Sequence, residues 1–108
     1  MGFKQIDTFY ITTSVSELAH NIFFHSTRGG NITFESIQRY GVNGIEIMAS
    51  DDGPGIRNIA LAMQDGYSTN GGLGGGLPGV ERLMDEFEIT SSVTTGTIIV
   101  ARKWQKQE

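Results

Sequence analysis

The sequence predicts an α+β two-layer sandwich, in which helices cover one face of a mostly antiparallel sheet. Two segments place apolar residues every three or four positions, which indicates helices, and four others are rich in β-forming residues. Along the chain these segments follow the order helix, hairpin, loop, helix, hairpin. This order and the length of 108 residues fit one domain, residues 1–108.

The first half of the chain contains one predicted helix and one predicted hairpin. The helix is expected over residues 6–26, and residues 28–30, Arg-Gly-Gly, end it. Six residues approximate a period of about 3.6 along this helix: Ile6, Tyr10, Val15, Leu18, Ile22 and His25. Two strands follow, over 31–37 and 45–49, with a turn at Tyr40–Gly44 between them, in which Asn43-Gly44 suits a tight reversal.

The second half of the chain is expected to contain a loop, a helix and a second hairpin. A break at Asp51–Gly55 and a short helical stretch over 59–64 precede the glycine-rich segment 71–79. Pro78 suits the first turn of a helix that runs to about Glu86, because its missing N–H is not needed there. The remaining segments are two strands and their turn: 87–93, 97–104 and 94–96.

Composition excludes several classes of protein and site. The chain has no cysteine, which excludes disulfides and thiolate metal ligands, and it has only two histidines. No apolar run approaches the roughly 20 residues of a membrane-spanning helix, so we expect a soluble, cytoplasmic protein without a membrane partner. The net charge is −4, and the one basic cluster, Arg102, Lys103 and Lys106, is expected to be a solvated chain end rather than a nucleic-acid surface.

A first polar motif, Glu17-Leu-Ala-His-Asn21, lies in the first predicted helix. Residues four apart lie about one turn apart on the same face of a helix. The Glu17 carboxylate can accept a proton from a hydroxyl or a water, and the Asn21 amide oxygen is a hard ligand that suits Mg²⁺. An ordinary solvent-facing polar pair is the other interpretation of this spacing.

A second motif, Asp51-Asp-Gly-Pro-Gly55, follows a predicted strand. Gly53 and Gly55 allow the backbone to approach a flat ligand closely. A carboxylate held beside them can accept a hydrogen bond from an exocyclic amine such as that of adenine. A plain turn is the other interpretation, because aspartate, glycine and proline are common in turns.

The third motif is GGLGGGLPG, residues 71–79, in which six glycines stand directly before a predicted helix. Successive backbone N–H groups that lead into a helix N-terminus form an anion site, so this segment is predicted to wrap phosphates. Residues 74–79 match G-x-G-x-x-G, but no strand precedes them, and the Gly-Lys-Ser/Thr of a Walker A loop is absent. A flexible linker is the remaining alternative.

In this order, the three motifs resemble the N, G1 and G2 boxes of the GHKL ATPase superfamily, whose nucleotide-binding domain has the Bergerat fold. Gly96-Thr97 resembles a later threonine that this superfamily places near adenine. Within the superfamily the chain is similar to the RsbT-type switch kinases, which are serine-protein kinases of bacterial stress-signalling partner switches. Four runs carry this similarity: 16–22, 52–56, 65–69 and 71–87.

The resemblance implies a role for each matching residue. Glu17 would be the general base for the attacking serine hydroxyl, and Asn21 would ligate the Mg²⁺ that bridges the ATP phosphates. Asp51 would bind the adenine amine. The other implied contacts to ATP are Gly53, Gly55 and Thr97 around adenine, and the backbone N–H groups of Gly72, Gly74 and Gly76 around the phosphates.

The resemblance also implies protein partners. Members of the family phosphorylate a serine of a STAS-domain antagonist or stressosome scaffold, and the released kinase activates a PP2C-type phosphatase. Two other functions stay open, namely an anti-sigma factor of the same fold that sequesters a sigma factor, and a degenerate domain that only contacts other proteins. Relatives begin with a further strand and helix, so we expect this chain to lack both and to be less stable than a longer form, or dependent on a partner.

Overall fold

The computed structural model of the chain describes residues 2–25, 29–51, 76–92 and 96–106. These ranges contain two helices and four strands: α1 (Gln5–His25), β1 (Gly30–Arg39), β2 (Val42–Asp51), α2 (Gly76–Leu83), β3 (Glu86–Ser92) and β4 (Gly96–Trp104). The strands form one antiparallel sheet in the order β1-β2-β4-β3. Both helices pack on the same face of this sheet, so the predicted α+β sandwich is confirmed.

The hydrophobic core lies between the sheet and the two helices. The register of β2 and β4 brings inward-facing residues side by side, since Ile47 pairs with Ala101 and Ala49 pairs with Ile99. The buried cluster found among the described residues is Leu18, Ile47, Ala49, Leu77, Val80, Met84, Ile99 and Ala101. Removal of these apolar side chains from water holds α1 and α2 against the sheet.

The reversal between β1 and β2 lies within the predicted turn, Tyr40–Gly44, but at Tyr40-Gly41 rather than at Asn43-Gly44. Arg39 pairs with Val42, and the two turn residues have positive φ angles of 52° and 78°. A two-residue type I′ turn requires this conformation, which glycine adopts readily. Gly44 lies inside β2 instead, where a Cβ atom would come within 2.6 Å of the Trp104 ring. This glycine therefore allows a close approach of neighbouring strands.

The buried side of α1 is more polar than its predicted apolar stripe. Ile6 is 53% exposed, whereas Asp7 and Glu17 are buried together with Leu18. Each buried carboxylate has a partner from a distant part of the chain: Lys103 lies near Asp7, and the start of α2 donates a hydrogen bond to Glu17. These partners make burial of the charges tolerable, and helical periodicity alone does not report them. Within the described part of the chain, no helix combines the length and apolar character that a membrane crossing requires.

Helix α2 begins two residues before Pro78, which lies in the first turn as predicted, and it ends three residues earlier than predicted. Asp85 makes three hydrogen bonds to β4 just after the helix, one of them from the Lys103 ammonium group at 3.5 Å. Its backbone N–H donates to the Arg102 carbonyl oxygen at 2.9 Å, and its carboxylate accepts the Trp104 backbone N–H at 2.8 Å. These bonds direct the chain from α2 into the edge strand β3.

Two of the three basic residues predicted at a solvated chain end lie in β4 and contact acidic groups. Lys103 is 5% exposed on the helix-covered side of the sheet, and its ammonium group donates to the Leu83 carbonyl oxygen at 2.7 Å. The same group lies 3.7 Å from the Asp7 carboxylate and 3.5 Å from that of Asp85. Arg102 also pairs with carboxylates, on the opposite face. The prediction of a solvated basic cluster is therefore wrong for both residues.

An ion-pair network lies on the face of the sheet opposite the helices. Arg102 contacts three carboxylates, those of Glu46 at 2.8 Å, Glu88 at 2.9 Å and Glu86 at 3.2 Å. These contacts, chiefly the hydrogen bond to Glu46, raise the pKa of the Arg102 guanidinium. The pKa of Glu86 is lowered, first because the Trp104 indole N–H donates to it at 2.8 Å, while partial burial opposes this effect. Of the three carboxylates, that of Glu88 is the most exposed, at 64% of its side chain, and an exposed pair contributes little to stability.

Candidate functional site

The carboxylate of Glu17 lies at the start of α2. Glu17 is 4% exposed, and its Oε2 accepts a hydrogen bond from the Gly76 backbone N–H at 3.2 Å. Gly76 is the first residue of α2 and has a φ angle of 72°, which favours glycine. A negative charge at this point is stabilised by the unpaired N–H groups and the dipole of the helix. The interpretation of Glu17 as a solvent-facing residue is therefore wrong.

Asn21 lies one helical turn beyond Glu17 on α1 and is half-buried. Its side chain makes no hydrogen bond to any other residue in the described ranges, so the amide oxygen is available to a ligand. Magnesium commonly takes only one or two protein ligands and completes its shell with phosphates and water. The described ranges contain no cluster of three His, Cys, Asp or Glu side chains suited to a metal. A single amide ligand of this kind suits a magnesium ion that takes its other ligands from phosphates and water.

Glu17 and Gly76 form one hydrogen-bonded couple. A second couple, Asp51 and Thr97, lies where β2 ends and β4 begins. Asp51 and Thr97 are 7% and 2% exposed, and Oδ1 of Asp51 accepts the Thr97 backbone N–H at 3.3 Å. This hydrogen bond joins two residues 46 positions apart and holds a carboxylate at the inner side of the sheet. A buried carboxylate held in this way can accept a further hydrogen bond from a ligand amine.

Ser91 is a residue of this region that the sequence analysis did not single out. Its hydroxyl lies 3.0 Å from the Thr97 hydroxyl across the β3–β4 pair, in which Ser91 and Thr97 are register partners. Ser91 also continues an inward-facing alternation in β3 after Phe87 and Ile89. This alternation is the signal that would have placed Ser91 on the same face as Thr97.

The two couples face the same layer of the molecule, between the sheet and the helices. Each of their four members has a close chain neighbour in the buried cluster: Leu18 for Glu17, Leu77 for Gly76, Ala49 for Asp51 and Ile99 for Thr97. Because strand residues two apart point to the same face, Asp51 and Thr97 lie on the helix-covered face with Ala49 and Ile99.

Five of the nine predicted site residues are therefore described: Glu17, Asn21, Asp51, Gly76 and Thr97. The other four, Gly53, Gly55, Gly72 and Gly74, lie outside the described residues, as does the short helix predicted over 59–64. Contacts join the described residues in two couples, and Asn21 shares a helix face with Glu17.

The fold and these motifs place the molecule in the GHKL class of ATPase domains. The chain belongs to the family described as histidine kinase-, DNA gyrase B- and HSP90-like ATPases, which matches residues 7–107. The predicted membership of the GHKL superfamily is thereby confirmed.

Two curated relatives define the position of the chain within this family. It is 50% identical over 104 residues to the serine/threonine-protein kinase RsbT of Bacillus subtilis (strain 168), an alignment that covers 96% of this chain and 77% of that protein. It is 32% identical over 98 residues to the anti-sigma F factor of Priestia megaterium, which covers 86% of this chain and 67% of that protein. The predicted similarity to RsbT-type kinases is confirmed by the first of these.

Proposed function

We propose that the chain is a magnesium- and ATP-dependent protein serine kinase of a bacterial stress-signalling partner switch, acting in the cytoplasm. The observation that carries the proposal is the hydrogen bond between Glu17 and the Gly76 N–H, 3.2 Å long. It brings a buried carboxylate to the helix N-terminus into which the glycine-rich segment leads. A proton acceptor beside a phosphate site is the minimum that phosphoryl transfer to a hydroxyl requires.

In the proposed reaction, Glu17 accepts the proton of a substrate serine hydroxyl as the serine oxygen attacks the γ-phosphorus of ATP. The new serine O–P bond forms while the bond from the γ-phosphorus to its bridging oxygen breaks, and ADP leaves with that oxygen. The proton on Glu17 is then released to solvent. Positioning and neutralisation of charge supply most of the rate enhancement in such transfers.

The nucleotide is proposed to lie between the two couples. Asp51 accepts a hydrogen bond from the adenine amine, and Thr97, Gly53 and Gly55 complete the adenine pocket. The phosphates accept hydrogen bonds from the backbone N–H groups of Gly72, Gly74 and Gly76. Asn21 would hold Mg²⁺, which supplies positive charge to the phosphate oxygens when it is bound.

The proposed protein substrate is a STAS-domain antagonist or scaffold, and the proposed target of the released kinase is a PP2C-type phosphatase. The 50% identity to a protein named as a serine/threonine-protein kinase supports transfer to a protein hydroxyl. An anti-sigma factor of the same fold is the second candidate, and the 32% identity to such a protein supports it.

A transfer assay with γ-phosphate-labelled ATP and magnesium tests the proposal on a STAS-domain protein. The wild-type chain should label the STAS protein, and the Glu17→Ala variant should bind ATP but lose most of the transfer, since general bases contribute about 10²–10⁴-fold. Glu81→Ala, which removes an exposed carboxylate of α2, is the matched control and should transfer normally.

Two results would contradict the proposal, the first in the role of Glu17 and the second in the kinase assignment. Full activity of Glu17→Ala would show that another group accepts the proton. Absence of transfer, combined with retention of a sigma factor rather than the STAS protein in a pull-down, would favour the anti-sigma factor.

A further inference from the structure

The backbone N–H group of Gly76 has two possible anionic hydrogen-bond acceptors. In the structure, Gly76 N–H donates to the Glu17 carboxylate at 3.2 Å in a partly buried environment. In the proposed function, the same N–H donates to an ATP phosphate. The contact with Glu17 therefore occupies a donor that the nucleotide needs.

These two partners exclude each other on simple electrostatic grounds. One N–H group makes one good linear hydrogen bond, and the bond weakens steeply when its angle departs from linearity. A carboxylate and a phosphate that share one donor also carry like charges a few ångströms apart, and burial of Glu17 strengthens their repulsion relative to water. Binding of a phosphate at Gly76 therefore requires that the Glu17 carboxylate withdraw.

We propose that Glu17 acts as an internal substitute for a phosphate in the nucleotide-free protein. Its carboxylate satisfies the first N–H of α2 until a nucleotide phosphate displaces it. Oε2 of the displaced carboxylate is then able to accept the proton of the serine hydroxyl. This inference rests on the proposed function, and it adds that arrival of the phosphates releases the base from its contact with α2.

The fold supplies the features that such an exchange needs. Glu17 is held on a helix of 21 residues and next to Leu18, which is fully buried, so the backbone of α1 stays in place while the side chain changes rotamer. Glutamate has three rotatable side-chain bonds, so its carboxylate can move several ångströms without movement of the helix. Gly76 precedes the buried run of α2 from Leu77 to Val80, which anchors the N–H group.

The first test compares nucleotide affinity in wild type and Glu17→Gln, measured by calorimetry with magnesium. Glutamine keeps the size of the side chain but removes its charge, so it competes less for Gly76. We expect ATP and inorganic tripolyphosphate to bind about tenfold more tightly to the variant, the difference between a charge-assisted and a neutral hydrogen bond. Adenosine, which has no phosphate, should bind equally to both proteins.

The matched control is Glu81→Gln, which makes the same change of charge at an exposed position of α2. It should leave the affinity for ATP and for tripolyphosphate within about twofold of wild type, because exposed charges are screened by salt. An equal gain in both variants would overturn the exchange, since it would report a general effect of net charge.

A second measurement observes the contact itself through the ¹⁵N–¹H signal of Gly76. In the nucleotide-free protein, Glu17→Gln should shift this signal upfield, because a neutral acceptor makes a weaker hydrogen bond. Addition of tripolyphosphate should move the signal in both proteins to similar positions. An unchanged Gly76 signal in Glu17→Gln would show that the contact is absent in solution and would overturn the proposal.

The outcomes also separate this inference from the proposed function. A wild-type protein that binds ATP and transfers phosphate, with unchanged or weaker affinity in Glu17→Gln, would overturn the exchange and leave the kinase assignment intact. A wild-type protein that binds neither ATP nor tripolyphosphate would overturn both.

Discussion

Replacement of Lys103 with methionine should destabilise the protein by about 3–5 kcal/mol, the range for removal of one partner from a buried ion pair. Lys103 is 5% exposed, and Asp7 is 2% exposed. The two charged groups lie 3.7 Å apart, and Oδ2 of Asp7 has no hydrogen-bond partner in the described residues. Methionine fills most of the space of the lysine stem, so the loss would come from the charge and not from a cavity.

The lysine also holds other groups in place. Its ammonium group donates to the Leu83 carbonyl oxygen at 2.7 Å at the end of α2, and it lies 5.0 Å from the centre of the Tyr10 ring on α1. The Lys103→Met substitution would leave the carbonyl without this donor and the Asp7 carboxylate without a cation. A domain of this size commonly has a stability of about 5–15 kcal/mol, so the predicted loss is a large share of the total.

The assay is urea unfolding followed by circular dichroism, with free energies of unfolding extrapolated to water. Lys106→Met is the control, because Lys106 is exposed and follows the same strand; it should change stability by less than about 0.5 kcal/mol. The double variant Asp7→Asn, Lys103→Met should be more stable than Lys103→Met alone, since it removes the unpaired buried charge. The reasoning would be refuted if Lys103→Met were no more destabilising than Lys106→Met, or if the double variant recovered nothing.

Three further predictions concern the site and the ion-pair network. Asn21→Ala should weaken ATP binding in magnesium by about 1.5–3 kcal/mol, the range for a contact with a charged group, and calorimetry in EDTA should show no difference from wild type. Asp51→Asn should reduce the preference for ATP over GTP by about tenfold, because a neutral acceptor binds the adenine amine less strongly; an unchanged preference in competition assays would remove Asp51 from the adenine pocket. Trp104→Phe should raise the pKa of Glu86 towards its ordinary value, since the indole N–H is the main cause of its lowering. A lowered pKa in the folded state gives stability that is present above the unfolded pKa, about 4.3. This stability is lost as the pH falls through the folded pKa, so the variant should lose less stability on acidification than wild type. An NMR titration measures the pKa of Glu86, and unfolding at several pH values measures the stability.

Local patterns of the sequence predicted the class of fold and the positions of most elements. The 3.6-residue period over 6–26 corresponds to α1, and the β-rich runs correspond to strands, because these periods reflect which face of an element is buried. The hairpin turn lies within its predicted range, 40–44, but composition favoured Asn43-Gly44 as the reversal. The structure uses Tyr40-Gly41 instead and keeps Gly44 for contact with Trp104. Residue types in order along the chain were enough to indicate the family.

What the sequence by itself determined is thus the α+β class, the family and the identity of residues with the right chemistry. Only the tertiary structure decided which of these residues meet. Glu17 and Gly76 are 59 positions apart, and Asp7 and Lys103 come from opposite ends of the chain. Buried polar residues break the apolar period, and their partners come from distant segments that are brought together by burial of the core. Local periodicity therefore shows where a helix lies, but it does not show that a carboxylate on that helix is buried against the start of another.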